Sequence, residues 1–327
     1  MRRKIEDDLG FGNRVSGKQQ RALNRDGSFN INRKGQSFWK TFDMYHSLIT
    51  MKWWKFNSIV AIYYILINIL FGGVYYSLGM EHLAGALGAT EREKFFDAFF
   101  FSAQTITTLG YGRISPMGFW TSVVAAIESI IGLMGFALIT GLLYGKFSRP
   151  VAKIVQSENA VMAPYKDINA LMFRIVNGKV SQLIEVEMQV VFSFNQMEGG
   201  KTIRRFLPLE LERSKIVLFP SSWTVVHPID ENSPMKNYTE QMLKEADAEF
   251  FILLKAFDDS FSQTIYWRSS IKHTELIWGA KFVNILTPEN NGSVTIDMSQ
   301  FNAVEKAELN KPIAETITIT NDSLLAN

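Results

Sequence analysis

The chain has 327 residues, with 34 Lys and Arg against 32 Asp and Glu, four His and no Cys. Its length allows about two domains, and it presents no disulfide question and no convincing zinc site. No G-x-S-x-G, Walker or G-x-G-x-x-G pattern occurs, so no motif argues for nucleotide hydrolysis, dinucleotide binding or catalysis. No catalytic residue, organic cofactor or nucleic-acid partner is expected.

Residues 1–36 are rich in Arg, Asn, Gly, Ser and Gln and read as a flexible basic arm. Over 37–54, Phe38, Phe42, Tyr45 and Ile49 fall on one helical face. This amphipathic segment runs into Met51-Lys52-Trp53-Trp54-Lys55. Such a helix suits the inner membrane surface, with tryptophans at the headgroup level. Packing on protein is the plainer alternative.

Residues 55–150 read as a membrane domain. Between Lys55 and Glu81 lie 25 residues without charge, and between Arg113 and Lys146 lie 32 with one, Glu128. A spanning helix needs roughly 20 apolar residues, which places spans at about 56–80 and 119–146. Residues 1–55 carry 12 Lys and Arg against 5 acids, while the loop Glu81–Arg113 carries three against four. The basic excess puts both termini in the cytoplasm and the loop outside, in a cell's inner (plasma) membrane.

Within that loop, KFFDAFFFSAQTIT predicts a short helix over about 95–107, its C-terminal dipole end favouring a cation. Thr108-Leu109-Gly110-Tyr111-Gly112 follows. Between two spans this is how a potassium filter is written. The carbonyls of Thr108, Leu109, Gly110 and Tyr111, with the Thr108 hydroxyl, replace the water shell of K⁺ when four chains surround one axis. Such a backbone alternates in handedness, hence Gly110 and Gly112.

In the second span, Gly132, Gly135, Gly141 and Gly145 permit close approach or bending. Gly141 is the candidate hinge, with packing an equal alternative. Tyr144 is the candidate gate, a ring of four closing a hydrophobic constriction. Glu128 is expected behind the filter, bracing it rather than meeting ions. Lys52, Trp53, Lys55, Lys146, Arg149 and Lys153 gather at the inner ends of the spans and are candidates for anionic lipid; ordinary topological charge is the alternative.

Residues 151–327, with 17 Lys and Arg against 22 acids, read as a cytoplasmic β-sandwich. Strands are expected at Ser181–Phe194, after the turn Glu198-Gly199-Gly200-Lys201, at Glu249–Phe257 and at Gln263–Trp267. Short helices are expected at Thr239–Ala246 and Lys272–Trp278.

Several stretches carry a resemblance beyond the filter: Asp43-Met-Tyr-His-Ser-Leu, Lys146-Phe-Ser-Arg-Pro, Met172-Phe-Arg-Ile-Val-Asn, Ser181-Gln-Leu-Ile-Glu, His227-Pro-Ile-Asp-Glu-Asn-Ser-Pro, Arg268-Ser-Ser and Glu275-Leu-Ile-Trp-Gly-Ala-Lys-Phe. Over about residues 38–320 the chain resembles the prokaryotic inward-rectifier potassium channels (KirBac type). That resemblance implies a homotetramer with a central K⁺ pore, immunoglobulin-like cytoplasmic sandwiches, gating modulated by anionic lipid or phosphoinositide, and block by Ba²⁺, Mg²⁺ and polyamines. It assigns Thr107 and Phe136 to the pore cavity, Phe136 standing where strong rectifiers carry aspartate. Gln104 stands where many eukaryotic members place a glutamate salt-bridged behind the filter. The family's acidic cytoplasmic ring is only partly visible, with Glu198, Asp258 and Asp259 as candidates. Weak rectification is the expected consequence.

Overall fold

The computed structural model describes residues 21–30, 43–148, 153–179, 182–219, 222–290 and 292–310. The chain divides into two compact units, one of residues 33–149 and one built from 1–32 together with 150–327.

The first unit is helical. Helix α1 (Met44–Thr50) is capped by Asp43, whose carboxylate accepts from His46 N at 2.9 Å. Helix α2 (Trp53–Leu78) begins three residues later. The expected single helix over 37–54 is therefore broken, because Met51 and Lys52 both adopt extended backbone. Phe38 and Phe42 lie outside the described residues. Strand β1 (Leu83–Ala84) pairs with β2 (Ser115–Pro116) across the loop that holds helix α3 (Glu91–Ile106). Helix α4 (Phe119–Phe147) closes the unit.

Helices α2 and α4 are long and apolar enough to cross a membrane. At ~1.5 Å per residue they run to about 39 and 43 Å, more than the hydrocarbon core requires. Helix α3 starts four residues earlier than the sequence predicts. Thr90 and Glu93 form a capping box there, the Glu93 carboxylate accepting from Thr90 N at 2.9 Å, and this draws the polar Glu91-Arg92-Glu93-Lys94 into the first turn. Helix α4 meets the end of α3 at Gly132, where a Cβ would stand 2.1 Å from the Ile106 carbonyl oxygen. Only glycine fits so close an approach.

The second unit is a two-sheet sandwich. One sheet has β6 (Leu183–Glu198), β7 (Lys201–Leu209), β8 (Lys215–Phe219), β10 (Glu249–Asp258) and β11 (Gln263–Lys272) in the order β11-β10-β6-β7, with β8 also on β6. The other has β3 (Ile154–Gln156), β4 (Ala160–Tyr165), β5 (Ile168–Asn177), β9 (Ser222–Ile229) and β12 (Leu276–Trp278). Phe192, Met188 and Phe250 from the first and Phe173, Ile175 and Val225 from the second share one buried core. The alternating inward residues of β6 made this strand visible in sequence.

Helix α5 (Glu240–Glu245) lies within the predicted Thr239–Ala246. The helix expected at Lys272–Trp278 is absent. His273–Glu275 make one 3₁₀ turn and Leu276–Trp278 pair in parallel with Ala160–Met162, so sheet pairing overrides the local pattern.

Part of the expected flexible arm is folded. Residues 21–30 form a turn closed by a Leu23–Phe29 bridge, and Leu23 is buried with Phe206 and Phe251. Arg21 donates both terminal nitrogens to the Glu275 carboxylate, at 3.0 and 2.8 Å. Glu249, fully buried, accepts from the main-chain N of Ala22 and Leu23 at 3.2 and 3.3 Å.

Candidate ion-conduction site

The segment Thr108–Gly112 leaves the C-terminal end of α3 with alternating handedness. Thr108, Gly110 and Gly112 have φ of +56°, +52° and +81°, while Leu109 and Tyr111 are not at positive φ. For glycine this costs nothing; for β-branched Thr108 it costs about 1–3 kcal/mol. The surroundings enforce it. Thr108 N donates to Thr105 O at 3.0 Å, and Leu109 N and Gly110 N both donate to Gln104 O at 2.9 and 3.3 Å. Gln104 thus braces the segment with its main-chain carbonyl. Leu109 and Tyr111 are exposed in the single chain, and beyond the adjacent residues no atom lies within 4 Å of a Cβ built on Gly110 or Gly112.

Glu128 is fully buried and joins three helices. Tyr75 of α2 donates its hydroxyl to Glu128 Oε2 at 2.5 Å, and Ser102 of α3 lies 2.5 Å from Glu128 Oε1. Ser102 Oγ is also 3.0 Å from Asn68 Oδ1. The carboxylate therefore grips α3 two residues before Gln104, and its contacts are to the helix rather than to Thr108–Gly112.

A third support was missed in the sequence. Asp97, the single acid within the aromatic run of α3, accepts from Arg113 Nη2 at 2.8 Å and from the main-chain N of Leu87 and Gly88, both at 2.9 Å. A lone carboxylate among phenylalanines was the available signal, since it needs donors. Arg113 immediately follows Gly112.

A cavity of about 800 Å³ beside α2 and α4 is bordered by Thr107, Thr108 and Phe136 together. Gly141 and Tyr144 are not on its wall. Helix α4 runs unbroken through Gly141, where nothing lies within 4 Å of a built Cβ. Tyr144 is exposed in the single chain.

The start of α2 and the end of α4 differ from expectation. Lys146 donates to the carbonyl oxygens of Met51 and Ile49 and sits over the Trp53 and Phe56 rings at 5.0 and 5.5 Å. Trp53 in turn packs on Phe147, ring centroids 4.7 Å apart. Lys146 and Trp53 thus serve the junction of α1, α2 and α4, because the carbonyls ending α1 need a donor. Lys52 and Lys55 are exposed, Lys55 over its neighbour Trp54. Arg149 lies outside the described residues, and Lys153, exposed, belongs to the other unit.

Among the candidate acids of the sandwich, Asp258 is buried and accepts from Ser260 N at 3.1 Å, so it caps its own turn and presents no charge to a pore. Glu198 is paired with Arg205 at 2.5 Å. Asp259 is exposed. Glu185 is an acid that the sequence pattern does not single out. It takes φ of +50° at a bulge between β6 and β10, facing a hollow of about 450 Å³ with Glu187, Lys215 and Lys255. Two acids and two lysines cancel there.

The domain model for the inward rectifier potassium channel C-terminal domain matches residues 154–321, and an ion channel model matches residues 63–148. The chain is 33% identical over 296 residues to the inward rectifier potassium channel Kirbac3.1 of Paramagnetospirillum magnetotacticum, covering 90% of this chain and 98% of that one. It is 27% identical to the ATP-sensitive inward rectifier potassium channels 15 of Mus musculus and Rattus norvegicus, over 81% of this chain and 76% and 70% of theirs. With two helices long enough to span, a glycine-alternating loop between them and a β-sandwich following in sequence, the chain belongs to the inward rectifier potassium channels, membrane proteins that conduct ions and are not enzymes.

Proposed function

We propose that four copies of this chain form a K⁺-selective channel with both termini in the cytoplasm, gated from the cytoplasmic side and modulated by anionic lipid. The observation that carries it is the alternation of positive φ at Thr108, Gly110 and Gly112, the kind of backbone that lets successive carbonyls face one ion line. In this reading K⁺ is held by the carbonyls of Thr108, Leu109, Gly110 and Tyr111. Open space around Gly110 and the exposure of Leu109 and Tyr111 suit a segment completed by three further copies.

Thr107 and Phe136 line the inner cavity, Gly141 bends and Tyr144 closes. Rectification by Mg²⁺ or polyamines is weak, because Phe136 carries no charge and the nearest acid on α4, Glu128, is buried. Of the candidate cytoplasmic acids, Asp259 is exposed, while Glu198 reaches the pore only together with its partner Arg205. Lys52 and Lys55, with Arg149 and Lys153, meet anionic headgroups, each contributing about 1 kcal/mol near the surface.

The test is Rb⁺ uptake into liposomes holding the purified protein. The expected result is Ba²⁺-sensitive uptake, and, for the same protein in a planar bilayer, a reversal potential that follows K⁺ rather than Na⁺. Uptake without K⁺ preference indicates another selectivity on the same scaffold. No uptake from a folded tetramer indicates a membrane-anchored sensor with a vestigial pore.

A further inference from the structure

The filter segment is fixed at both ends to one helix, and the two attachments differ in kind. The inner attachment is main chain to main chain, from Leu109 N and Gly110 N to Gln104 O. The outer one is a side-chain ion pair, Arg113 Nη2 to Asp97 Oδ1 at 2.8 Å. Asp97 and Gln104 lie seven residues apart on α3, two turns and so about 10 Å of rise.

The outer attachment reaches further. The second oxygen of Asp97 takes the N–H groups of Leu87 and Gly88. Beside it, Leu83–Ala84 pair with Ser115–Pro116, and a Cβ on Gly85 would stand 1.8 Å from the Arg113 carbonyl oxygen. Ile114 is buried with Phe71, Leu83 and Phe101. One carboxylate therefore ties α3, the outer loop and the filter exit together.

The two halves of this knot are separable. The loop is already held by two N–H donors, the short sheet and Gly85. Arg113 is 56% exposed on its side chain, so folding has little need of it. Its guanidinium is nevertheless drawn to the half-buried carboxylate by a charge-assisted bond, stronger than a neutral one.

We propose that the Asp97–Arg113 pair is an outer clamp on the selectivity filter, a positioning pair that keeps Thr108–Gly112 in its conducting, K⁺-selective form. It rests on the reading of that segment as the filter. With the clamp in place, the carbonyls above Gly110 cannot splay or rotate away from the ion line when K⁺ occupancy falls. Without it, the β1–β2 pairing and the buried Ile114 still anchor the chain beyond Arg113, but only bound K⁺ keeps the outer carbonyls in line.

The experiment compares wild type with R113Q, R113K and D97N, each checked for tetramer by size exclusion, in planar bilayers. Two quantities are read: K⁺ over Na⁺ permeability, and current decay at low and high external K⁺. R113Q and D97N are expected to lose selectivity on the order of tenfold and to decay at low external K⁺, with high external K⁺ protecting both. R113K, which keeps the cation, is expected to retain most of the selectivity. An R113Q tetramer that matches a selective wild type in both quantities overturns the clamp alone. So does one whose conductance rises with selectivity unchanged, since Arg113 then acts only as a field at the mouth. A wild-type tetramer without K⁺-selective current overturns the filter reading and the clamp with it.

Discussion

The Tyr75 hydroxyl meets the Glu128 carboxylate at 2.5 Å with neither residue exposed to solvent. A helix that crosses a membrane holds a carboxylate only where donors wait for it, and here α2 supplies one and α3 the other. Removing the donor while keeping the ring should cost more than its size suggests. Tyr75→Phe is expected to lose about 1–3 kcal/mol, because an acceptor is left buried and unmet. Thermal dissociation of the tetramer in detergent reads this; an unchanged midpoint would mean that the pair is not part of the bracing.

Two glycines of α4 should respond in opposite directions. Gly132→Val drives a side chain into the Ile106 carbonyl, 2.1 Å from the Cβ position, an overpacking that costs about 1–3 kcal/mol or more. Gly141→Ala meets nothing within 4 Å and gains up to about 1 kcal/mol of helix propensity. If Gly141 bends during opening, the alanine variant is the more stable protein and yet opens less often. Unaltered open probability would remove the hinge.

The cavity offers a test of rectification. Phe136→Asp places a carboxylate from each of four chains in a confined, low-dielectric space. Voltage-dependent block by internal spermine is expected to rise steeply from a weak wild-type level. Strong block in the wild type would show that the charge lies elsewhere.

Basic residues at the start of α2 and the end of α4 should divide into two classes. Lys146→Met removes the donor to Met51 and Ile49 and is expected to lower the thermal midpoint, by about 0.5–1.5 kcal/mol in stability. Lys55→Met, over an exposed Trp54, is expected to leave the midpoint alone and weaken the phosphoinositide dose–response. Equal behaviour of the two variants would return both to ordinary topological charge.

The sandwich unit carries its own pH dependence. His273 lies 3.8 Å from Asp247, which also meets Lys272 at 3.3 Å and Arg204 at 3.4 Å. Burial holds the imidazole below its ordinary value; Asp247 opposes this, and Lys272 and Lys244 reinforce it. A depressed folded value means that the unfolded chain takes the proton first. The contribution is therefore complete above about pH 6.5 and is lost as pH falls from there through the folded value. His273→Gln should flatten the pH dependence of the unfolding midpoint in that window. Parallel curves for variant and wild type would rule it out.

Much of the frame was legible because it rests on local chemistry. Charge-free runs announce spans, alternate glycines announce a loop of alternating handedness, and the inward alternation of β6 announces a sandwich face. What stayed hidden depends on partners distant in sequence. Asp258 looked like a free acid until Ser260 and the end of β10 enclosed it. Lys146 looked like a lipid contact until the carbonyls ending α1 claimed it. The bulge that turns out Glu185 exists only once β6 and β10 are in register. Arg21 gave no hint that Glu275, 254 positions away, was waiting.

That last attachment changes the order in which the protein is completed. The membrane unit is an insertion, with 21–30 before it and 153–310 after it belonging to one folded body. During synthesis Leu23 and Arg21 emerge first, yet Phe251, Glu249 and Glu275 arrive only after both spans have been made. The opening segment must wait without its acceptors while the spans insert, and the sandwich closes over it last. A soluble fragment beginning at residue 150 would leave the buried Glu249 without its two main-chain donors and Phe206 and Phe251 without their cover.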